Sequence, residues 1–258
     1  MLDFYRFSHF RKHPELLHAV SKKSDVFPHS FSLALHTGED TKNIIANRNT
    51  LAIQLQSIQT LNFIVANQTH SDHIEVIRDG QTKGWHTVSD AVKDCDALIS
   101  NVPNIVLSIL TADCVPILLY DPKQKVIAAI HAGWKGTQAQ IASKTVQKMK
   151  KEFHCDKEDI IAGIAPSIGH CCYEVDVDVA QHFFDTPKGF TSIGEKYMLD
   201  LPYINRQQLL NAGLEEKHIE MSGICTACEV EHFFSYRKEK GCSGRFMSMI
   251  ALKEQDEN

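Results

Sequence analysis

The sequence predicts an α/β domain with mixed β-sheets flanked by helices, an arrangement resembling an α/β/β/α sandwich. Short apolar runs typical of strands alternate with longer amphipathic segments typical of helices. Several of these runs lie so close in sequence that antiparallel pairing is favoured, and hence sheets of mixed direction. At 258 residues, with 43% hydrophobic and 23% charged residues, the chain is expected to form a single domain over residues 1–258.

In the first half of the chain, the pattern predicts one helix among several strands. Asp40 or Thr41 can cap this helix, and Arg48 falls on the same side as Ile45, Ala52 and Leu55. The predicted strands cover residues 32–36, 62–66, 105–110, 115–120 and 125–130.

The second half of the chain is predicted to be richer in helices. A surface helix over 137–153 is indicated by apolar residues at 141, 146, 149 and 153 among Lys and Gln. The other predictions are a strand over 159–165, a helix from Asp176 or Asp178 through Phe184, a helix over 202–211 ended by Gly213, a strand over 246–252 and a frayed tail over 253–258.

Composition restricts the partners and the compartment. A net charge of −5 without a cluster of Lys and Arg gives little attraction for a phosphate backbone, which argues against nucleic-acid polymers as partners. The first residues lack the pattern of a secretory signal, and no run approaches the ~18 apolar residues of a membrane span. We therefore expect a cytoplasmic protein with no membrane partner, either monomeric or homodimeric, whose eight cysteines are reduced.

Three donor residues follow or end predicted strands. His70 comes after the strand 62–66, Cys114 lies between the strands 105–110 and 115–120, and His131 follows the strand 125–130. A catalytic zinc ion takes three such nitrogen and sulfur ligands and leaves a fourth position open. The alternative for each residue alone is a loop histidine or a small buried thiol. The polar residue Asp113 beside Cys114 favours the metal, but the residues by themselves leave both explanations open.

Many short stretches of the chain resemble one known family. The longest are Thr111-Ala-Asp-Cys-Val-Pro-Ile-Leu-Leu119, His131-Ala-Gly-Trp-Lys-Gly136 and Ile164-Ala-Pro-Ser-Ile-Gly-His-Cys-Cys-Tyr-Glu-Val175. Shorter ones are Leu33-Ala-Leu-His-Thr-Gly38, Asn47-Arg48, Gln68-Thr-His70, Cys225-Thr226, Phe234-Ser-Tyr-Arg237 and Gly244-Arg245. Over nearly its whole length the chain resembles the multicopper-polyphenol-oxidase or laccase-domain family, whose members are described as purine nucleoside phosphorylases.

The resemblance implies a zinc ion held by His70, Cys114 and His131, with phosphorolysis of adenosine, inosine and S-methyl-5'-thioadenosine and with adenosine deamination as a second reaction. Purine nucleosides and phosphate are then the small-molecule partners. We expect Arg48 to orient phosphate and Asp113 to protonate the departing purine. We expect Arg237, Arg245 and Tyr173 to bind substrate.

Three other activities stay open. The family has also been credited with copper-dependent phenol oxidation, but the chain has no His-x-His pair, so a single copper ion in the same site is the form expected here. Some relatives are linked to editing of peptidoglycan precursors. A metal-free hydrolase or deamidase is the third alternative, with His131 activating Cys114; it does not require His70.

The sequence departs from the family pattern at two places. Ala165-Pro166 stands where relatives have Gly-Pro, and Ser21-Lys-Lys-Ser24 stands where many have Arg-x-Gly-Gly, which affects loops near the substrate.

Two cysteine pairs lie outside the predicted zinc site. Cys225 and Cys228, with His232 and Cys242, could form a second zinc site or a redox pair, but their irregular spacing favours neither. We expect Cys171-Cys172 to pack or to line the pocket with Tyr173.

Overall fold

The computed structural model describes residues 2–55, 60–241 and 244–254. Its strands are, in chain order, β1 (Phe4–Tyr5), β2 (Leu16–Ser21), β3 (Asn62–Val65), β4 (Ile74–Ile77), β5 (Ala97–Ser100), β6 (Ile105–Thr111), β7 (Val115–Asp121), β8 (Val126–Ala132), β9 (Ile161–Ile164), β10 (Glu174–Val175), β11 (Phe190–Ile193), β12 (Lys196–Leu199), β13 (Ile219–Met221) and β14 (Phe246–Leu252). Its α-helices are α1 (Thr41–Leu55), α2 (Trp134–Gln138), α3 (Ile141–Phe153), α4 (Val177–Ala180) and α5 (Leu201–Ala212). Within the described ranges, no helix combines the length and apolar character needed to cross a membrane.

Two large sheets and one small sheet organise the strands. The five-stranded sheet has the order β1-β2-β14-β6-β3, and the six-stranded sheet has the order β13-β9-β7-β8-β5-β4. Both mix directions, since β3 is parallel to β6 and β9 is parallel to β13, whereas β7 and β8 are antiparallel. The small sheet, β10-β12-β11, is antiparallel. The predicted α/β class with mixed sheets is confirmed.

The two large sheets pack face to face because their central strands are apolar on both faces. Along β6, Leu107 and Ile109 lie in a core cluster shared with the six-stranded sheet, whereas Val106 and Leu110 pack on the opposite side with residues of α1. The outer face of the six-stranded sheet packs against α3 and α5. Alternation along the strands therefore builds four layers in the order helix, sheet, sheet, helix.

Most of the predicted elements are present within one or two residues of their expected bounds. The strands predicted over 62–66, 105–110, 115–120, 125–130 and 246–252 correspond to β3, β6, β7, β8 and β14. The strand expected over 159–165 is shorter, as β9, and α5 ends at Gly213, whose φ of +103° suits glycine. The strands β1, β2, β4, β5 and β10 to β13 were not predicted.

The strand predicted over 32–36 is wrong. This segment is irregular because side chains of α1, rather than a neighbouring strand, take its carbonyl groups. Asn47 donates to the carbonyl oxygen of Ser32 at 3.0 Å, and Arg48 donates to that of Leu33 at 2.8 Å. On α1 the buried face is also rotated from the expected one, since Ile44, Asn47, Arg48, Leu51 and Leu55 are the buried residues.

Two helix predictions and the tail also need correction. The helix expected over 137–153 is divided into α2 and α3, because Gln140 has a φ of +61°. A side chain of α5 also hydrogen bonds to a main-chain carbonyl group near the end of α2. Gln208 donates to the carbonyl oxygen of Thr137 at 2.6 Å. The segment expected to be helical up to Phe184 is the short α4 followed by a 3-10 turn over 181–183. In the tail, Lys253 is tied to the main chain of Glu15, and residues 255–258 lie outside the described residues.

Gly163 offers a test of the packing beneath β9. A Cβ atom at this position would lie 2.7 Å from the ring of the fully buried Phe7. We expect Gly163→Ala to lower the free energy of unfolding by about 1–3 kcal/mol, because the ring must shift within a close-packed core. Urea unfolding measures this change. The control is Gly80→Ala, where a Cβ meets nothing within 4 Å; equal midpoints for the two variants would contradict the prediction.

Candidate metal centre

The strand arrangement brings His70, Cys114 and His131 to one place. The parallel strands β3 and β6 end at the same edge of the five-stranded sheet, so the loop carrying His70 lies beside the turn carrying Cys114. That turn then enters β7 of the other sheet, where Val115 is opposite Ala132 of β8. This register places His131 next to Cys114, at the junction of the two sheets.

The three donor atoms form a compact group. They all lie within 4.8 Å of one another, and Cys114 Sγ is 3.8 Å from His70 Nε2. The imidazole rings of His70 and His131 are inclined at 77° with their centroids 4.8 Å apart. Zinc bonds of about 2.0–2.3 Å to nitrogen and sulfur place tetrahedral ligand atoms roughly 3.5 Å apart, so the spacing suits a single ion.

Gly133 has no side chain, and the space that a side chain would need is occupied by His70 and Cys114. A Cβ atom here would lie 2.9 Å from His70 Cδ2 and 3.1 Å from Cys114 Sγ. Its φ of −71° is open to any residue, so glycine is required at this position for space and not for backbone conformation. The close approach of the main chain to two of the three donors supports a fit to a metal ion.

The buried carboxylate of Asp96 fixes two of the three ligands. His131 Nδ1 lies 2.7 Å from Asp96 Oδ1, which leaves the Nε2 atom of this histidine for a metal. The backbone N–H groups of His70 and Ser71 donate to the same carboxylate at 3.1 and 2.7 Å, and so does the Ser71 hydroxyl at 2.7 Å. A carboxylate behind a ligating histidine is the usual means of setting its tautomer and orientation.

The loop after β3 is held in a conformation that points His70 toward the site. His70 has a φ of +61°, an unfavourable region for a residue with a side chain. The Gln68 side chain pairs with the main chain of Leu110 in both directions, accepting from its N–H and donating to its carbonyl oxygen, each at 2.8 Å. These contacts continue the pairing of β3 with β6 and compensate for the strained backbone.

The charges within the group favour the metal-binding form of the cysteine. Burial alone raises the pKa of the Cys114 thiol, but the neighbouring His131 and His70 lower it below its ordinary value. Burial also lowers the pKa of His131, but the Cys114 thiolate and Asp96 raise it overall. Burial raises the pKa of Asp96, yet hydrogen bonds from His131 and Ser71 hold it well below its usual range. A thiolate is the form of cysteine that binds a divalent ion.

The structure gives Asp113 a positioning role. Its Oδ1 accepts a hydrogen bond from the Thr226 hydroxyl, and its Oδ2 accepts one from the backbone N–H of Arg237, both at 2.7 Å. Its carbonyl oxygen accepts from the N–H of Ile168 at 2.9 Å. Asp113 thus ties the loops that carry Ile168 and Arg237 to the turn that carries Cys114. This placement favours positioning over the expected protonation of a purine.

Arg48 lies inside the layer between α1 and the five-stranded sheet. Its side chain donates to the carbonyl oxygens of Leu33, Gly84 and Trp85 at 2.8, 2.6 and 2.7 Å, and the residue is only 1% exposed. The guanidinium also lies over the Trp85 ring, 5.2 Å from its centroid. These contacts favour a structural role instead of the expected contact with phosphate.

Two of the other three candidates, Arg237 and Tyr173, contact each other, and Arg237 is also tied to Asp113, the neighbour of Cys114. The guanidinium of Arg237 lies 5.3 Å from the ring centroid of Tyr173, and that of Arg245 lies 5.7 Å from the ring centroid of Tyr236. Burial raises the pKa of Tyr173 to about 12, and the Cys114 thiolate adds to this effect. Burial lowers the pKa of Arg245 while the same thiolate opposes the shift. Both side chains are therefore within electrostatic range of Cys114.

Sequence reasoning missed two features. Asp96 had no signal of its own, because the chain has 32 acidic residues and the partner of a ligating histidine has no fixed spacing. The convergence of Cys171, Cys172, Cys225 and Cys228 was also missed, although each pair is visible in the sequence. His232 does not belong to this group, and Cys242 lies outside the described residues.

Two imidazoles and one thiolate that could hold a metal ion, at the junction of two stacked mixed sheets, place the chain among α/β proteins with a candidate metal centre. Residues 18–253 match the model of the multi-copper polyphenol oxidoreductase laccase family, and the chain belongs to that family.

Relatives of known name support this assignment. Purine nucleoside phosphorylase YlmD of Bacillus subtilis is 33% identical over 231 residues, which cover 87% of this chain and 83% of the relative. Adenosine deaminase RL5, from an unknown prokaryotic organism, is 32% identical over 229 residues, which cover 86% of this chain and 87% of the relative. The crystal structure of YlmD from Geobacillus stearothermophilus has a TM-score of 0.89 at 30% identity and covers 96% of this chain and 94% of that one.

Asp96 is the residue through which the centre can be tested without removing a ligand. We expect Asp96→Asn to weaken zinc binding by about 10–100-fold, because the amide no longer stabilises the orientation and basicity of His131. Competition with a chromogenic chelator measures the affinity. Asp94→Asn is the matched control, since Asp94 lies in the same loop, is exposed and contacts Thr69 and His73 but no expected ligand. Equal affinities in the two variants would contradict the role assigned to Asp96.

Proposed function

We propose that this protein is a zinc-dependent purine nucleoside phosphorylase acting on adenosine, inosine and S-methyl-5'-thioadenosine, with adenosine deamination as a second reaction. The observation that carries the proposal is the convergence of His70, Cys114 and His131 on one open site, in a chain whose relatives include proteins named purine nucleoside phosphorylase. The name of the relative RL5, an adenosine deaminase, supports the second reaction.

In phosphorolysis, an oxygen of phosphate forms a bond to the anomeric carbon of the nucleoside while the bond from that carbon to the purine nitrogen breaks. The electron pair leaves with the purine, which then takes up a proton. A zinc ion held by two neutral imidazoles and one thiolate, those of His70, His131 and Cys114, would keep about one unit of positive charge and would supply electrostatic attraction for phosphate and Lewis acidity.

Arg237 and Arg245 supply further positive charge beside the ligands. Arg237 is anchored from two sides, since its Nη1 atom donates to the carbonyl oxygen of Glu174 at 2.7 Å and its own N–H donates to Asp113. We assign to these two arginines the orientation of the phosphate dianion, and to Tyr173 a contact with the nucleoside. A fixed guanidinium loses little freedom on binding an anion, which favours the reacting geometry.

A second candidate function follows from a specific contact. Asp96, His131 and Cys114 are aligned like the acid, base and nucleophile of a cysteine hydrolase, with the 2.7 Å contact between Asp96 and His131 orienting the base. In that alternative the thiolate attacks the substrate directly, and His70 has no role. The same arrangement of side chains therefore allows two mechanisms, and only the metal mechanism requires His70.

His70→Ala discriminates between the two. For the phosphorylase we expect this variant to lose the zinc ion of the His70, Cys114 and His131 site and to lose at least about a hundredfold in phosphate-dependent release of adenine from adenosine, because two ligands hold the ion poorly. Metal analysis of protein purified without added metal is paired with the release assay, and ammonia is measured separately for deamination. His73→Ala is the control, since His73 is exposed on the same loop and pairs with Asp94.

Undiminished turnover by His70→Ala protein that has lost the ion of this site would overturn the metal mechanism and support the cysteine hydrolase. Turnover of a muramyl-peptide nucleotide in place of inosine plus phosphate would support the editing of peptidoglycan precursors. Oxidation of a phenol only after copper is added would mark copper as a substitute ion in the same site, since copper outcompetes zinc at most nitrogen and sulfur sites.

A further inference from the structure

A second group of metal-binding side chains lies apart from the first. It consists of Cys171 and Cys172, in the loop after β9, and Cys225 and Cys228, in the loop after β13. The four Sγ atoms all lie within 4.8 Å of one another. We propose that these four cysteines, hereafter the four-cysteine cluster, bind a structural zinc ion that joins the two loops.

The sheet explains why the two pairs meet. β9 and β13 are parallel neighbours, with Ile164 opposite Met221, so both loops leave the same edge of the six-stranded sheet side by side. A bridge between Ser167 and Cys225 continues this pairing beyond the strands. Main-chain pairing therefore brings the two pairs of cysteines together, although they are 53 residues or more apart in sequence.

The distances suit one tetrahedral ion. Cys228 Sγ lies 3.5 Å from both Cys171 Sγ and Cys172 Sγ. Four Zn–S bonds of about 2.3 Å in a tetrahedron place the sulfur atoms roughly 3.8 Å apart, which falls inside the observed range. A disulfide needs its sulfur atoms at about 2.05 Å, and all four cysteines are free thiols here. An iron–sulfur cluster spreads its cysteines over several iron atoms and so needs a wider group.

A main-chain donor from the other loop reaches Cys225. The backbone N–H of Gly169 donates to Cys225 Sγ at 3.2 Å. Such a bond stabilises a thiolate more than a neutral thiol, which is a weak acceptor. The loop after β9 therefore contacts the cysteines of the loop after β13 through its main chain as well as through Cys171 and Cys172.

The cluster lies directly behind two residues assigned to the substrate. Tyr173 follows Cys172, and Arg237 lies in the same loop as Cys228 and contacts the Tyr173 ring. A zinc ion here would fix these loops relative to each other, in addition to the hydrogen bond from Thr226 to Asp113. The inferred ion is structural, since all four of its positions are filled by protein and none is open to substrate.

The test counts metal ions and does not depend on which reaction the protein catalyses. We expect two zinc ions per chain in the wild-type protein purified without chelator, and one in each of the variants His70→Ala and Cys225→Ser/Cys228→Ser. Cys171→Ser/Cys172→Ser removes the same ion from the other loop. Cys155→Ala, which deletes a buried thiol outside both groups, is the control and is expected to keep both ions.

The absorption spectrum of cobalt-loaded, folded protein tests whether cysteines hold the second ion. In cobalt-loaded His70→Ala, which retains only the four-cysteine cluster, we expect the intense sulfur-to-cobalt charge-transfer absorption of a tetrahedral thiolate site; single substitution of the exposed Cys228 by serine reduces it. Amide hydrogen exchange in residues 165–173 and 222–237 should rise in the cysteine double variants and stay unchanged in Cys155→Ala.

One zinc ion per wild-type chain, lost entirely in His70→Ala, would overturn the proposal. A wild-type mass lower by two hydrogens per cysteine pair under non-reducing conditions would also overturn it, since it would show a disulfide. Copper in place of zinc at the four-cysteine cluster of wild-type protein purified without added metal would overturn the assignment of the metal.

Discussion

The fold around the metal centre depends on one buried carboxylate. Asp96 is fully buried at the start of β5, where it receives hydrogen bonds from the loop of His70 and from the ring of His131. A buried charge is costly unless all of its hydrogen-bonding capacity is used, and here it is met by donors from two elements that would otherwise be independent. The carboxylate therefore fixes the loop after β3 to β8. This link holds the two histidines close enough to bind one metal ion.

The fold class was accessible from the sequence because hydrophobic runs mark central strands well. β3, β6, β7, β8 and β14 are apolar on both faces since they lie between two layers, and their runs are continuous. Edge strands such as β1, β4 and β13 are short or partly exposed, and their patterns did not stand out. The segment over 32–36 has the composition of a strand, yet the side chains of Asn47 and Arg48 replace a partner strand. Such competition is decided by tertiary contacts that a local pattern does not contain.

The site was predictable to the extent that its chemistry is distinctive. Two histidines and one cysteine at strand ends are suited to a metal but are equally compatible with packing, and only the family resemblance selected the metal. Roles that depend on orientation were less accessible. Arg48 and Asp113 match family positions, but the Arg48 guanidinium donates to main-chain carbonyl groups, and the Asp113 carboxylate accepts from the Thr226 hydroxyl and the Arg237 N–H. The sequence gives the chemical type of a side chain, but the role of that side chain depends on its hydrogen-bond partners, which only the structure shows.

The path of the chain from β6 to β7 has a thermodynamic consequence. His70 belongs to a loop of one sheet and His131 to a strand of the other, with Cys114 in the crossing between them. An ion bound by all three contacts both halves of the sandwich, so part of its binding free energy opposes separation of the sheets. For any metal ion bound in this way, metal supply and resistance to unfolding would be linked, so that a shortage of the ion would lower the stability of the protein as well as the occupancy of the site.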